Sequence, residues 1–274
     1  MEVITSKDNR TLKYAMSLKQ RKQRNKHKEF LVEGLRAVRD MVVRDRLRNL
    51  LIKESLIHSP EVEELMAMDK PIIAFSVRDD LYTPLEDTVN GQGVMGIARQ
   101  GQPNFSAFQA QDGLYVLLDG VQDPGNMGTL IRTAVAAGVK ALFVSKGSVD
   151  VYNEKTIRSA LSAIGELTIY TGLDDQDIEN LILHKNLRAY VTTLEDAKDY
   201  SAVTYDAKTL LVLGNEGQGV RGPIQALCQE RIHIPLYGPI ESLNVGIAGA
   251  LAMYKVREGQ NSYIVLLCPY KKGE

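Results

Sequence analysis

The chain has 274 residues, of which 44% are hydrophobic and 24% charged, and a net charge of −1, as is typical of one large or two moderate globular domains. No apolar run reaches the roughly 18 residues needed to cross a bilayer, and the N-terminus does not resemble a signal peptide, so we expect neither a membrane protein nor a secreted one. Cys228 and Cys268 are too few for a disulfide framework and too isolated for a metal site, which favours a cytoplasmic location.

Positive charge is concentrated at the start of the chain. Residues 1–28 hold nine lysines and arginines against Glu2 and Asp8, a surplus of seven positive charges, so the remainder is acidic. Such a segment is typical of contact with nucleic-acid phosphates, although a solvated, partly disordered arm would have the same composition. The nine residues are Lys7, Arg10, Lys13, Lys19, Arg21, Lys22, Arg24, Lys26 and Lys28.

The first hundred residues alternate between helical and strand-like patterns. Apolar spacing predicts one basic helix over 12–26, followed by helices over 35–43 and 61–68. Strand-like segments occupy 28–34, 47–52, 72–76 and 93–98. We therefore expect a small α/β unit over 1–100, and the polar, turn-rich residues 101–112 predict a linker after it.

The remainder, 113–274, alternates more regularly. Apolar runs predict buried strands over 114–118, 141–144, 167–170, 188–192, 209–213 and 231–236. Helices are expected over 126–137, 154–163, 174–184 and 223–227, and a last helix rich in small residues is expected behind Ser242 as its N-cap. This alternation predicts a mostly parallel sheet covered on both faces.

Three loops that follow predicted strands are rich in glycine and small polar residues. In parallel sheets, ligands bind beyond the carboxyl ends of the strands, so these loops are the candidate site. None is a known phosphate-binding loop, because a dinucleotide fingerprint needs a third glycine after Gly125 and Gly128, and no Gly-Lys-Ser/Thr triplet occurs. The four histidines are scattered, which argues against a zinc site or a catalytic triad.

Together the loops resemble the three motifs of the SpoU (TrmH) family of RNA ribose methyltransferases, within the SPOUT superfamily. The first is DPGNMGTLIRTA at 123–134, the second LVLGNEGQGV at 211–220, and the third IPLYGPIESLNVGIA at 234–248. The resemblance implies an α/β catalytic domain whose C-terminal chain threads a deep trefoil knot, and this knot forms both the cofactor pocket and a homodimer interface. It also implies that the N-terminal unit is a ribosomal-protein-like (L30e-like) RNA-binding domain.

The resemblance further implies a cofactor, S-adenosylmethionine, with no metal, and a ribose 2′-hydroxyl as the methyl acceptor. By this resemblance the catalytic residues are Arg132, Asn126, Glu216, Ser242 and Asn244. The cofactor-binding residues it implies are Thr193, Gly214, Asn215, Glu216, Gly217, Ile234, Leu236, Leu243 and Asn244. An arginine is a poor general base, so a guanidinium that stabilises the developing alkoxide is the easier role for Arg132.

Two other classes of protein stay open at this point. A doubly wound oxidoreductase would need the glycine fingerprint that is missing, and a non-catalytic RNA-binding protein of the same fold would lack the motif residues that are present. Among RNA substrates we expect ribosomal RNA, here 23S rRNA, ahead of transfer RNA, because the leading unit resembles a ribosomal protein module.

Overall fold

The computed structural model describes residues 1–86 and 92–260, which fold around two β-sheets. Residues 87–91, inside the predicted 1–100 unit, lie outside the described residues. So do residues 261–274, which include Cys268 and the end of the predicted 113–274 unit. Within the described part, no helix is both long and apolar enough to cross a membrane.

The first sheet has five strands in the order β1-β4-β3-β5-β2, and it is mixed because β5 runs antiparallel to β2 and β3. Its strands are β1 (Glu2–Ile4), β2 (Glu29–Glu33), β3 (Leu47–Lys53), β4 (Ile73–Val77) and β5 (Val94–Arg99). Its helices are α1 (Arg10–Ser17), α2 (Arg21–His27), α3 (Leu35–Val43), α4 (Pro60–Met66) and α5 (Asp79–Tyr82).

The second sheet has seven strands, all parallel, in the order β10-β12-β9-β11-β6-β7-β8. The strands are β6 (Gly113–Leu118), β7 (Ala141–Ser145), β8 (Thr168–Leu173), β9 (Arg188–Thr192), β10 (Lys198–Asp199), β11 (Lys208–Leu213) and β12 (Glu230–His233). The helices are α6 (Pro124–Ala136), α7 (Glu154–Ala160), α8 (Ala163–Glu166), α9 (Asp175–His184), α10 (Gly222–Leu227) and α11 (Val245–Gly259). The predicted α/β class, a mostly parallel sheet with a smaller α/β unit before it, is confirmed.

The two sheets share a hydrophobic core, in which the β2 side chains pack against the region of α7. Phe30 lies against Tyr152, with ring centroids 4.8 Å apart. A buried ion pair joins the same two regions, because the Arg24 guanidinium lies 2.7 Å from the Asp150 carboxylate and both side chains are at most 10% exposed. Apolar contact and a desolvated charge pair therefore hold the N-terminal unit against the larger sheet.

The single basic helix predicted over 12–26 is wrong. The chain forms α1 and α2 instead, with a break at residues 18–20. The carbonyls of Leu18 and Lys19 lie in this break, outside both helices, and the Arg24 guanidinium donates to them at 2.8 and 2.7 Å. One of the nine basic residues therefore stabilises the fold and is not available to solvent.

The helix predicted over 154–163 also divides. It ends at Ala160, because Leu161 has a φ of 51°, which a right-handed helix does not accommodate, and α8 begins at Ala163. The short strands β1 and β10 were not predicted, since three- and two-residue strands give no usable periodicity. The other predicted elements are present with small shifts at their ends.

Residues 101–112 have no regular secondary structure, but they are not a detached linker. Phe108 is buried against Tyr115, Phe143 and Tyr170, and Phe105 makes edge contacts with two of these rings. Aromatic burial therefore fixes this segment to the larger sheet.

Candidate active site

The three glycine-rich loops meet at the carboxyl-terminal end of the seven-stranded sheet. They follow the carboxyl ends of β6, β11 and β12, and β9 lies between β11 and β12. Because all of these strands are parallel, their carboxyl ends lie on the same side of the sheet. This places the candidate residues of all three motifs in one region.

The first loop positions the N-terminus of α6. Asp123 is the N-cap, and its carboxylate accepts from the backbone N–H of Asn126 at 2.8 Å, while Pro124 occupies the first turn. This hydrogen bond is the main reason why the pKa of Asp123 lies below its usual value, and Lys155, 3.5 Å away, adds to it. The cap fixes the backbone from which the Asn126 side chain projects.

Glu216, in the second loop, connects its loop to the first. Its carboxylate accepts from the Asn126 side-chain amide at 3.1 Å and from the backbone N–H groups of Gln122 and Asp123 at 3.2 and 3.1 Å. Desolvation raises the pKa of Glu216, but these hydrogen bonds outweigh it and hold the pKa below its usual value. Glu216 is thus an ionised carboxylate that organises the loop before α6.

Asn244, in the third loop, completes the connection. Its amide Nδ2 donates to Oδ1 of Asn126 at 2.9 Å, and its own Oδ1 accepts from the backbone N–H groups of Gly246 and Ile247. Asn244 is therefore the N-cap of α11, and the prediction that Ser242 caps this helix is wrong. The cap lies two residues later because the chain through Ser242 is still irregular. We call the linked side chains of Glu216, Asn126 and Asn244 the three-residue bridge.

Gly214 marks a close approach of two backbone segments at the end of β11. A Cβ at this position would collide with the backbone of Gly219 and Val220, so only glycine fits. Asn215 holds the turn closed, since its Oδ1 accepts from the N–H groups of Gly217 and Gln218 and its Nδ2 donates to the carbonyl of Gly120 at 2.9 Å.

The other predicted cofactor residues lie beside this turn, after the ends of β9 and β12. Thr193 follows β9 and donates its backbone N–H to Ile232 at 3.0 Å. Ile234, Leu236 and Leu243 are half-buried, and among the described residues none accepts a hydrogen bond from their backbone N–H groups. Apolar side chains and free backbone donors are thus found together.

Two predicted catalytic residues are not joined to the three-residue bridge. Arg132 is exposed on α6, and no described residue forms an ion pair or hydrogen bond with its side chain. It lies six positions after Asn126, which places it about 9 Å further along the helix axis. Ser242 is also exposed, and within 1–86 and 92–260 its hydroxyl has no partner.

Some residues that build the site were not predicted. The buried Asp119 accepts from the backbone N–H and Nε of Arg221, each at 3.0 Å, which ties the end of β6 to the segment before α10. Gln122 donates its side-chain amide to the carbonyl of Gly147 at 2.7 Å. The Asp-Pro pair at the start of α6 was a readable N-cap signal for Asp123, but the Asp119–Arg221 contact bridges 102 residues and has no local signature.

A metal site finds no support in the part of the chain that is described. No group of three or more His, Cys, Asp or Glu side chains there is arranged to hold an ion. The acidic residues at the site, Asp119, Asp123 and Glu216, are instead committed to hydrogen bonds or ion pairs within the fold.

Comparison with known proteins matches both parts of the chain. Residues 113–254 match the SpoU rRNA Methylase family, and residues 9–96 match the MRM3-like substrate binding domain. A 23S rRNA (guanosine(2553)-2'-O)-methyltransferase, RlmP, from Bacillus subtilis (strain 168) is 28% identical over 257 residues, which cover 94% of this chain and 100% of the relative.

Solved structures agree with this match. An AdoMet-bound rRNA methyltransferase from Sinorhizobium meliloti has a TM-score of 0.86 at 26% identity, and the match covers 95% of this chain and 99% of that one. An RNA 2'-O ribose methyltransferase has a TM-score of 0.79, also at 26% identity, with 94% and 99% covered. The family match spans more than half of the chain and includes all three loops of the site, so the chain belongs to the SpoU rRNA methylase family.

Proposed function

We propose that this protein transfers a methyl group from S-adenosylmethionine to a ribose 2′-hydroxyl of ribosomal RNA, most specifically 23S rRNA. The observation that carries the proposal is the three-residue bridge, because it joins one side chain from each family motif at the sheet edge. The relative from Bacillus subtilis, named as a 23S rRNA 2'-O-methyltransferase, supports the choice of substrate. A ribosomal RNA substrate implies that the protein works in the cytoplasm.

The sheet edge fits the cofactor. An adenosyl group needs apolar contact on its faces and backbone partners for its ring nitrogens, and the half-buried Ile234, Leu236 and Leu243 offer both. The tight turn from Gly214 to Gly219 and the nearby Thr193 would close the pocket on the other side. When bound, the cofactor supplies a methyl group on a sulfonium, which leaves as a neutral thioether and needs no metal to activate it.

The chain's own residues would then orient and activate the hydroxyl. An arginine guanidinium carries a fixed positive charge in proteins, so Arg132 can stabilise the negative charge that develops on the hydroxyl oxygen but is a poor acceptor for its proton. Glu216 is also a weak base, because its pKa is depressed and both of its oxygens accept hydrogen bonds. The hydroxyl proton would therefore pass to an RNA phosphate or to water.

We also propose that the protein acts as a homodimer through its catalytic part. Three large apolar side chains are exposed on one face of α11 at helical spacing: Ile247, Leu251 and Tyr254, which are 52%, 42% and 50% exposed. A stripe of this kind on a packed helix is typical of a subunit interface. Association across it could also bring Arg132, which is exposed on the neighbouring α6, towards a complete site.

The trefoil knot and the division into 1–100, 101–112 and 113–274 remain part of this proposal. The close fit of α11 against α6 and β11 at Gly249 is a contact that a threaded chain would need. The two separate sheets support the division, while the shared core argues that the units work as one body.

Mapping of ribose methylation tests the proposal. Ribosomal and transfer RNA from cells with and without this protein would be compared at every nucleotide. We expect one 2′-O-methyl group in 23S rRNA to disappear when the protein is absent. Loss of a transfer-RNA methyl group instead would favour the tRNA alternative, and an unchanged map together with retained RNA binding would favour a non-catalytic RNA-binding protein.

A further inference from the structure

A cavity of about 400 Å³ lies between α2 and the carboxyl ends of β7 and β8. Its volume is within the range of pockets that hold small ligands or parts of larger ones, about 300–1,000 Å³. None of the three bridge residues lines it, so it is separate from the candidate active site. We call it the α2 cavity.

The α2 cavity is positively charged. Arg21 and Lys28 line it from the N-terminal unit and Lys146 lines it from the loop after β7, and all three side chains are exposed. Among the described residues, none forms an ion pair with any of these three. Of the two carboxylates in the lining, that of Asp150 is neutralised by Arg24 at 2.7 Å, which leaves only Asp177. Three unpaired cations therefore face one unpaired carboxylate.

The other polar groups of the cavity suit a nucleic-acid chain. The exposed side-chain amides of Asn25 and Gln102 lie in its lining. An amide both donates and accepts, as the edges of unpaired RNA bases require, while lysine and arginine bind phosphates. An anionic ligand with hydrogen-bonding groups of both kinds matches this lining better than a simple anion does.

Hydrogen bonds of Gln122 link the wall of the cavity to the candidate active site. The side chain of Gln122 donates to Gly147 in the cavity wall at 2.7 Å, and its backbone N–H donates to Glu216 at 3.2 Å. Strands β6, β7 and β8 are neighbours, so the end of β8 lies roughly 10 Å from the end of β6, two strand spacings away. An RNA chain whose ribose lies at the three-residue bridge would thus pass the cavity with an adjacent nucleotide.

We propose that the α2 cavity binds the sugar-phosphate backbone of the RNA segment beside the modified nucleotide. Arg21, Lys28 and Lys146 contact its phosphates, and the amides of Asn25 and Gln102 contact a base. This inference rests on the proposed function and gives the N-terminal unit and the catalytic sheet one shared RNA-binding surface. The basic residues of α2 and its C-cap Lys28 then fall into two groups, those that line the cavity and those that do not.

Matched triple variants test the assignment. One carries Arg21→Gln, Lys28→Gln and Lys146→Gln; the control carries Lys7→Gln, Lys22→Gln and Lys26→Gln, which removes the same charge from exposed positions outside the cavity. The affinity of each for a fluorescein-labelled single-stranded RNA would be measured by anisotropy over a range of salt concentrations. Each lost phosphate contact reduces the slope of log affinity against log salt concentration by about 0.7. This slope should therefore fall by about 2 in the cavity variant and by much less in the control.

Several results would decide the matter. Equal slopes for the two variants, or no change in either, would overturn the proposal, and thermal unfolding would show that both variants are folded. Uridine monophosphate would be tested as a ligand, since its tight binding to the wild type, lost in the cavity variant without a change in RNA slope, would assign the cavity to free nucleotides instead. Calorimetry with S-adenosylmethionine separates the two claims. Failure to bind the cofactor would count against the proposed function, whereas the salt dependence of RNA affinity would still test whether the cavity binds RNA.

Discussion

Asn244 donates a hydrogen bond of 2.9 Å from its side-chain amide to the side-chain oxygen of Asn126, across 118 residues of sequence. The other atom of the same amide caps α11, and the other atom of the Asn126 amide donates to Glu216. One polar chain therefore fixes the starts of α6 and α11 relative to the loop after β11. The geometry of the candidate site depends on these contacts, and each can be tested separately.

The two tasks of Asn244 can be separated by substitution. Asn244→Asp keeps an acceptor for the N–H groups of Gly246 and Ile247 but removes the donor to Asn126. Rotation of the Asn126 amide would restore that contact only by turning its oxygen towards the Glu216 carboxylate. We expect unchanged stability to urea but a methyl-transfer rate at least tenfold lower, which is about 1.4 kcal/mol.

Asn244→Ala is the matched comparison. It removes the cap as well, so it should lose about 1 kcal/mol of stability in addition to the rate. A wild-type rate for Asn244→Asp would show that the bridge to Asn126 is unimportant for catalysis.

The depressed pKa of Glu216 predicts how its contribution to stability depends on pH. Its hydrogen bonds favour the ionised form, so the contribution is complete above the ordinary glutamate pKa of about 4.3 and is lost as pH falls through the lower pKa of the folded state. Glu216→Gln replaces one acceptor oxygen by a donor that faces other donors. Urea unfolding should give this variant a lower free energy of unfolding than the wild type. The difference should be constant near neutral pH and should narrow below about pH 4. A difference that does not narrow would contradict the assignment of an ionised carboxylate.

Gly249 should not tolerate a side chain. A Cβ there would collide with Leu130 of α6 and lie 2.8 Å from Leu213 of β11, so Gly249→Ala should cost about 1–3 kcal/mol despite the better helix propensity of alanine. Gly259→Ala, in the same helix, is the control, because its nearest neighbour would be 3.9 Å away. Thermal unfolding should separate the two variants, and equal melting temperatures would mean that α11 is free to shift.

Arg24 should be more important for stability than for RNA binding. Arg24→Ala leaves Asp150 buried and unpaired and removes the donors to the carbonyls of Leu18 and Lys19. Loss of one partner of a buried pair typically costs about 3–5 kcal/mol. Lys22→Ala, an exposed change on the same helix, should cost less than about 0.5 kcal/mol by the same urea titration. Similar values for both would show that the pair is not desolvated in solution.

Local pattern was enough to predict the parallel sheet and the three loops, because buried strands and glycine-rich turns have short-range signatures. It failed where distant residues decide the local structure. Arg24 has the same sequence context as its exposed neighbours, and only its burial against Asp150 makes it structural. The sequence also could not show whether Ser242 or Asn244 caps α11. Both residues are good caps, and the path of the preceding loop selects Asn244.

The most direct test of the central claim is single-turnover transfer of a labelled methyl group from S-adenosylmethionine to a 23S rRNA transcript by the purified chain. We predict label on one ribose 2′-oxygen, and less than about a tenth of the wild-type rate for Arg132→Ala with cofactor affinity unchanged. The exposed Lys140→Ala, which lies just beyond α6, is the control and should keep the wild-type rate. Label on a base, no label at all, or an Arg132→Ala variant as fast as the wild type would contradict the account.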